Sequence, residues 1–189
     1  GNVAADKRGV ARTLLEHDER GHEVERGHFG VDDKLFVTEE GYAKRKNSYD
    51  RRGKPLRTTY LGGDGRPTLI QGGYASVQAG HDEDGQLVEV SHHGVDGKPV
   101  VSSDGMAKRA MKYDGQGNKT GESYFGVDGG LVVAKDGFAR WTKKYNARGS
   151  VIEEAFFDTS GKPTLNRQGY ASKIMRYDAR GRGFLESYY

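Results

Sequence analysis

Residues 105–136 read GMAKRAMKYDGQGNKTGESYFGVDGGLVVAKD, and the chain returns to this pattern every 32 residues. Each copy opens with a glycine, an apolar residue and an alanine, and no copy gains or loses a residue. The copies start at Gly9, Gly41, Gly73, Gly105, Gly137 and Gly169. A fixed period of roughly 20 to 50 residues is typical of solenoids, propellers and other arrays. The sequence therefore predicts a single repeat array over residues 1–189, in which each unit contacts mainly its neighbours.

Two turn signals divide each copy. In Asp114-Gly115-Gln116-Gly117, the Asp can bond its own backbone and the last glycine can take a positive φ. Gly126-Val127-Asp128-Gly129 is the second signal. We expect strands over Met106–Tyr113 and Asn118–Phe125, followed by a short apolar piece at 131–133 that is a strand start, an edge or an extended loop. Turns every 8 to 12 residues or so, without helical periodicity, indicate all-β structure.

The predicted fold class is all-β, with tandem antiparallel hairpin repeats of 32 residues forming an open single-layer meander or a hairpin solenoid. The alternative is a closed ring resembling a β-propeller. Residues 2–8 match the end of a copy, and the copy beginning at Gly169 is partial, so the two pieces add up to almost one repeat. A ring closed by its termini requires such a split. The repeat is short for a four-stranded propeller blade, which favours the open array. The ends also lack polar caps, which leads us to expect a segment cut from a longer protein.

Repeated aromatic residues indicate how this polar chain forms a core. Only 34% of the residues are hydrophobic and the mean hydropathy is −0.83, yet the chain has 11 Tyr, 7 Phe and 1 Trp. All the tyrosines fall at four positions of the repeat, which predicts a thin, aromatic-rich core. One series is Tyr49, Tyr113, Tyr145 and Tyr177, and another is Tyr60, Tyr124, Phe156 and Tyr188. Ala43 and its equivalents never vary, so we expect a larger side chain to clash there.

The charge balance and the lack of cysteine argue against several classes of function and of binding site. The chain has 30 basic and 27 acidic residues, a net charge of +3 and no long run of either sign, so we expect neither nucleic-acid binding nor membrane insertion. The first strand of a copy is basic and the second acidic, which predicts ion pairs between paired strands. The absence of cysteine excludes disulfides and Cys-ligated metals. No secretory signal or long apolar segment is present.

Residues that often carry chemistry fall mainly on scaffold positions. Five of the six histidines replace aromatic residues of other copies, which favours packing, and His22 is expected to be exposed. His81, His92 and His93 do not predict a metal site, because adjacent strand residues point to opposite faces. The acidic turn at 82–85 lacks the spacing of an EF-hand loop, and no glycine-rich stretch precedes a helix. We therefore predict no metal, no cofactor and no enzymatic activity.

Trp141, with Arg140 and Lys143 beside it, is the main feature that the repeat does not explain. Single strand aromatics usually pack, but an exposed ring flanked by cations can stack on a sugar or a peptide. These three residues are the candidate ligand contacts.

Tyr49-Asp50-Arg51-Arg52-Gly53, Tyr113-Asp114-Gly115-Gln116-Gly117 and Tyr177-Asp178-Ala179-Arg180-Gly181 resemble the Tyr-Asp repeats of bacterial RHS-type surface and toxin proteins. The resemblance covers about a quarter of each copy. It implies strand-turn-strand units in large β shells or spirals, a bacterial source, and no catalytic residues within the repeats.

The function predicted is a non-catalytic structural or protein-interaction repeat module, a segment of a larger bacterial envelope-associated protein. An extracytoplasmic or cell-envelope location fits this interpretation. The alternative is a carbohydrate-binding module that recognises cell-wall glycan through exposed aromatic rings. The expected partner is accordingly a protein or a glycan.

Overall fold

A computed structural model describes residues 5–7 and 9–189 of the chain. Residues 2–4 and 8 of the leading fragment therefore lie outside the described residues. The chain divides into two compact units, Gly1–Ser103 and Asp104–Tyr189, which hold the first three and the last three copies. The single array over residues 1–189 stays a prediction.

Both units are built only from antiparallel β-hairpins in the part of the chain that the structure describes. Strands lie side by side in sequence order, from β1 to β6 in the first unit and from β7 to β12 in the second. The predicted all-β open meander is confirmed, and neither unit closes into a ring. The strands of the first unit are β1 Arg12–His17, β2 Glu23–Phe29, β3 Lys44–Tyr49, β4 Pro55–Leu61, β5 Ser76–His81 and β6 Leu87–His93. Those of the second are β7 Lys108–Tyr113, β8 Lys119–Phe125, β9 Arg140–Tyr145, β10 Val151–Phe157, β11 Ser172–Tyr177 and β12 Gly183–Tyr188.

The turn at 114–117 shows why the Asp-x-x-Gly motif makes a hairpin. Asp114 Oδ1 accepts hydrogen bonds from the backbone N–H groups of Gln116 and Asn118, both at 2.9 Å. Gly117 has a φ of 82°, in the left-handed region that favours glycine. The register shifts between Lys112 and Tyr113, which is the bulge that accompanies this turn. The hairpin was predicted correctly, although β7 begins two residues later than Met106.

The third piece of each copy is an extended loop. It touches the preceding strand through one isolated bridge, such as Phe125 with Leu131 or Phe157 with Pro163. Proline fits there because it cannot donate a ladder hydrogen bond. The next turn, closed by the Gly137 N–H and the Ala134 carbonyl at 2.9 Å, leads into the next copy.

Each unit has a core made of one ladder of aromatic rings. Neighbouring ring centroids are 4.6–6.1 Å apart in the first unit and 4.7–5.8 Å apart in the second. The rings come alternately from the end of a hairpin and from the Gly-x-Ala start of the next copy. The ring ladder consists of His28, Tyr42, Tyr60, Tyr74 and His92 in the first unit, and of Tyr124, Phe138, Phe156, Tyr170 and Tyr188 in the second. Offset and edge contacts of this kind stabilise beyond simple burial, so a thin core holds each unit together.

The alanine of the Gly-x-Ala start lies under this ladder. Ala43 and Ala139 are completely buried, and Ala75 is 1% exposed. A larger side chain at these buried positions has to displace its neighbours, whereas Ala11 and Ala171 in the first and last copies are only half-buried.

A second tyrosine series links adjacent hairpins instead of joining the ladder. The Tyr49 hydroxyl donates to the Glu23 carbonyl at 2.9 Å, and the Tyr145 hydroxyl donates to the Lys119 carbonyl at 2.8 Å. Tyr177 makes the same bond to Val151. Each of these bonds joins a copy to the one before it, so the Tyr of the Tyr-Asp motif is a polar link between repeats.

Candidate interaction surface

The candidate ligand contacts lie on β9 but do not all share one face. Trp141 faces Glu122 on one neighbouring strand and Phe156 on the other. Lys143 lies on the same face, with its Nζ 5.0 Å from the centre of the indole ring. Arg140 lies on the opposite face, where its guanidinium carbon is 4.5 Å from the centre of the Phe157 ring. The structure therefore brings Trp141 and Lys143 together and separates Arg140 from them.

Trp141 is half-buried and not the exposed ring that the sequence suggested. It packs against the buried cluster that contains Tyr124, Phe138 and Phe156. Lys119 also reaches it, with its Nζ 5.3 Å from the ring centre. A cation placed over the face of an indole ring is attracted to it, because the π-electrons make that face negative. A sugar stacking on this ring has to compete with the two ammonium groups.

Glu122 is the one acidic side chain among the buried polar groups of the described residues, and its carboxylate is paired with basic side chains. It is 6% exposed and forms ion pairs with Lys119 and, at 3.7 Å, with Arg109. Burial and then the neighbouring Glu122 carboxylate raise the pKa of Tyr124 to about 12, so its hydroxyl stays neutral at physiological pH. A carboxylate held by two cations serves packing and charge balance better than proton transfer.

The two histidines at the end of β6 lie on opposite faces of the strand. His92 stacks against Tyr74 at 4.6 Å within the ring ladder, whereas His93 lies on the other face, opposite Ser76. Burial and then the Arg57 guanidinium lower the pKa of His93, which favours the neutral ring. Over residues 5–7 and 9–189, no three His, Asp or Glu side chains converge in a way that could hold a metal ion.

A cleft of the first unit lies beside Val10, where other copies have an aromatic residue or methionine at the ladder position. It has a volume of about 430 Å³. Arg26 and Arg45 line it together with Glu39 and Glu40. The smaller valine therefore leaves the end of the ladder uncovered, in a cleft of mixed charge.

A recurring set of exposed aliphatic side chains is the surface feature that sequence reasoning missed. The second residue of the short apolar piece turns inward, and Val132 packs on the core, whereas the third turns outward. The outward residues, here called the aliphatic column, are 47–60% exposed. They are Val37, Leu69 and Val101 in the first unit and Val133 and Leu165 in the second. The sequence signal for this surface was an apolar residue that recurs at the same position of successive copies.

Comparisons with known proteins do not assign a family. No family model and no curated protein matches the chain. It is similar to a chain in the crystal structure of TcdB2-TccC3-Cdc42, with a TM-score of 0.31, 13% identity and 93% of this chain covered. It is also similar to a chain in the crystal structure of TcdB2-TccC3-TEV, with a TM-score of 0.23, 11% identity and 92% covered. The chain spans only 11% and 13% of the length of those chains. TM-scores this low support no conclusion about the function of this chain.

No helix among the described residues is long and apolar enough to cross a membrane.

Proposed function

We propose that this chain is a non-catalytic structural or protein-interaction module within a larger bacterial, envelope-associated protein. The aliphatic column is the observation that carries the proposal. Its side chains are about half exposed in every copy that has the third piece, although the cores do not need them. Contiguous apolar patches mark protein-interaction sites, and an exposed aliphatic side chain at the same position of successive copies offers a partner one apolar contact per repeat.

The spacing of the column supports a protein partner. Within each unit, successive column residues belong to hairpins two strands apart, which is about 10 Å in a β-sheet. A repeat array uses such regular surfaces to present many weak contacts in a row. The partner proposed is therefore a protein with an elongated apolar surface, bound along the loops and not at a single pocket.

Site-specific photo-crosslinking tests this proposal in the parent bacterium. A photoreactive residue replaces Leu69 in one variant and Arg51, at the opposite end of the hairpins, in the other. We expect a discrete protein adduct from position 69 and none from position 51. Equal adducts from both positions, or none from position 69, contradict a partner on the column.

For the glycan alternative we propose Trp141 as the stacking ring. Tyr42 and Tyr124 inside the ring ladder are 7% and 5% exposed, whereas Tyr188 at its end is 53% exposed. Trp141 is half-buried and has Lys143 over its ring, an arrangement that can hold an anionic cell-wall sugar. As the chain has 1 Trp, its fluorescence reports this site directly. Titration with soluble cell-wall fragments should shift the emission if the alternative is correct, and Lys143→Ala should weaken the response. An unchanged emission removes it.

A further inference from the structure

The two units differ in charge, although the net charge of the whole chain is only +3. Residues 1–103 include 15 basic and 17 acidic residues, whereas residues 104–189 include 15 basic and 10 acidic residues. An asymmetry of this kind between two halves of a chain suggests that the basic half meets an anionic partner.

The face of the second unit that carries the ring ladder is balanced in charge. Lys143 pairs with Glu154 at 3.0 Å. Lys173 pairs with Glu186 at 2.9 Å, and the buried Glu122 is held by two cations as described above. The excess of cations is therefore not on this face.

The opposite face, here called the back face, carries a row of cations. Lys112, Lys144 and Arg176 occupy the same position of three successive copies, directly before the tyrosine of the Tyr-Asp motif. All three residues are exposed. Lys144 shares the face of Arg140, because it lies four residues further along β9, and the other two are its equivalents. These three residues are called the basic row.

Little negative charge offsets the basic row. Glu153 is the one acidic residue that the described strands of the second unit place on the back face, and it pairs with Lys144 at 2.8 Å. The Lys144 side chain is nevertheless 67% exposed. Lys112 and Arg176 form no side-chain ion pair or hydrogen bond with any described residue. The cations of the row are therefore available to a ligand.

The fold itself does not require the basic row. At the same position of its three copies, the first unit has Glu16, Ser48 and Gly80, which together carry one negative charge. Those copies form the same hairpins as the copies of the second unit. An exposed position that is basic in three successive copies, and not needed for the hairpin, indicates contact with something outside the chain.

The basic row crosses the sheet obliquely. Lys112 faces Gly121, and Gly121 faces Thr142 on the next strand. Lys144 lies two residues beyond Thr142 on β9. Successive cations are therefore two strands apart across the sheet and two residues apart along it, a distance of about 12 Å. An extended partner can contact all three cations, whereas a small ion can contact only one.

The rest of the back face is polar or small and offers no open aromatic ring on β8 or β10. Phe125 and Phe157 have the cations of Lys108 and Arg140 over them, at 5.1 and 4.5 Å from the ring centres. No large apolar side chain of β7 to β10 is exposed on this face. The half-buried residues between the cations include Ser123, Thr142, Ala155 and Ser172.

This chemistry separates the classes of anionic partner. Single-stranded nucleic acid stacks its bases on open aromatic rings, and its charges are much closer together than the cations of the row. A protein interface has an apolar core, and a membrane surface takes up apolar side chains. A polysaccharide that carries carboxylates needs only separated cations, together with hydroxyl groups that can bond its own hydroxyls.

We propose that the back face of the second unit binds an acidic polysaccharide, with the basic row holding the carboxylates of uronic acid residues spaced along the polymer. Each cation of the row donates charge-assisted hydrogen bonds to one carboxylate. The serine and threonine hydroxyls of the face bond the hydroxyls of the sugars between them. The inference goes beyond the proposed function, because it uses neither the aliphatic column nor Trp141.

Fluorescence anisotropy with an end-labelled oligomer of polygalacturonate tests the proposal on the full chain. The oligomer should bind, and its methyl ester, which has the same sugars without the charges, should bind at least about tenfold more weakly. Binding of the charged oligomer should weaken as the salt concentration rises from about 50 mM to about 200 mM, because salt screens the contacts. An unmodified chain that does not bind the oligomer, or that binds the methyl ester equally well, overturns the proposal.

Removal of the basic row is the decisive comparison. The triple variant Lys112→Gln, Lys144→Gln and Arg176→Gln should weaken binding about tenfold, because each exposed charge contributes a few-fold. An affinity equal to that of the unmodified chain contradicts a site on this face.

The first unit provides a control with the same change in net charge. The triple variant Lys34→Gln, Arg66→Gln and Lys98→Gln removes two lysines and one arginine from exposed turns, and it should bind nearly as the unmodified chain does. Equal losses in the two triple variants overturn the proposal, because they show an effect of net charge alone. Melting curves establish that both variants fold. If the first does not, Arg176→Gln and Arg66→Gln provide the same comparison, with about a twofold loss expected for Arg176→Gln.

Competition identifies the class of polymer. Unlabelled polygalacturonate should displace the labelled oligomer at a lower concentration of charge than single-stranded DNA or vesicles of phosphatidylglycerol. If DNA or the vesicles compete better, the partner is not a polysaccharide and the proposal is wrong. None of these outcomes changes the crosslinks expected from position 69, so this proposal and the proposed function can fail separately.

Discussion

At the residue scale, Glu23 shows how one carboxylate can hold two hairpins together. Hydrogen bonds from Arg26 and then from Arg45 lower the pKa of Glu23 to about 2. Because the folded pKa lies below the unfolded value of 4.5, this contribution to stability is present above pH 4.5. It is lost as the pH falls from 4.5 to about 2.

We expect Glu23→Gln to lower the free energy of unfolding at pH 7 by about 1 kcal/mol, after allowance for solvent screening. The difference from the unmodified chain should shrink as the pH falls towards 2. Thermal melts at several pH values measure it, with Glu16→Gln on the exposed strand β1 as the control. An equal loss at pH 7 and pH 2.5 speaks against the ion pairs as the cause.

Tyr124 gives the corresponding prediction at high pH. Burial and then Glu122 raise its pKa to about 12, above the unfolded value of 10.0, so its contribution is complete below pH 10.0 and is lost as the pH rises towards 12. Tyr124→Phe removes the ionisable group, and the variant should therefore lose less stability than the unmodified chain between pH 9 and pH 11. Denaturant titrations at the two pH values measure this, with Tyr189→Phe, at an exposed ring, as the control.

Individual side chains were the hardest part to predict from the sequence. The repeat predicted packing roles for His28 and His92, because histidine stands there in place of an aromatic ring, and both lie in the ring ladder. It could not place Trp141, since neither its burial nor the lysines over its ring follow from a position that varies between copies. Arg140 was grouped with Trp141 by adjacency alone, although neighbours on a strand face opposite sides.

At the element scale, two glycines of the second unit separate the effects of φ and of space. Gly129 has a φ of 80°, and Gly115 does not lie in the left-handed region. A Cβ at either position meets no atom within 4 Å. Any difference between the two alanine variants therefore reports the backbone conformation and not a clash.

We expect Gly129→Ala to destabilise the chain by about 1–2 kcal/mol, because an L-residue is strained at this φ. Gly115→Ala should be neutral or stabilising by up to about 1 kcal/mol, since it restricts the unfolded chain. Melting temperatures of the two variants, compared with that of the unmodified chain, test this. Equal losses rule out φ as the reason for glycine at position 129.

Hairpins were predictable because turn chemistry is local, whereas the links between hairpins were not. Asp114 and Gly117 specify their turn within four residues of sequence. The bond from the Tyr145 hydroxyl to the Lys119 carbonyl joins residues of two copies, and only the strand register brings them together. In the ring ladder, the aromatic residues of the Gly-x-Ala starts alternate with those at the hairpin ends. This alternation depends on the same register.

At the scale of the whole molecule, one copy of the repeat can take the place of another, because all copies have the same period and make the same kinds of contact. The ladder contact between His28 and Tyr42 has the same form as the one between Tyr60 and Tyr74. The hydrogen bonds from the backbone N–H groups of His28 and Tyr60 to the carbonyls of Ala43 and Ala75 are both 2.8 Å long. The contact between two adjacent copies therefore depends on the positions of the contacting residues within the repeat, and little on which two copies are involved.

Deletion of residues 41–72 tests this exchangeability. The deletion joins Glu40 to Gly73, which occupies the same position in its copy as Gly41 does. The His28 ring can then pack on Tyr74, and its backbone N–H can donate to the Ala75 carbonyl. We expect a folded β-protein that melts within several degrees of the unmodified chain, because stability in such arrays is a sum of units and nearest-neighbour joints. Deletion of residues 49–64 removes half as many residues, but it removes β4 and joins Ser48 of β3 directly to Gly65, in the turn that follows β4. That variant should lose cooperative unfolding in the first unit, as measured by hydrogen exchange, whereas β7 to β12 keep their protection. If the shorter deletion is the better tolerated of the two, the frame does not control folding.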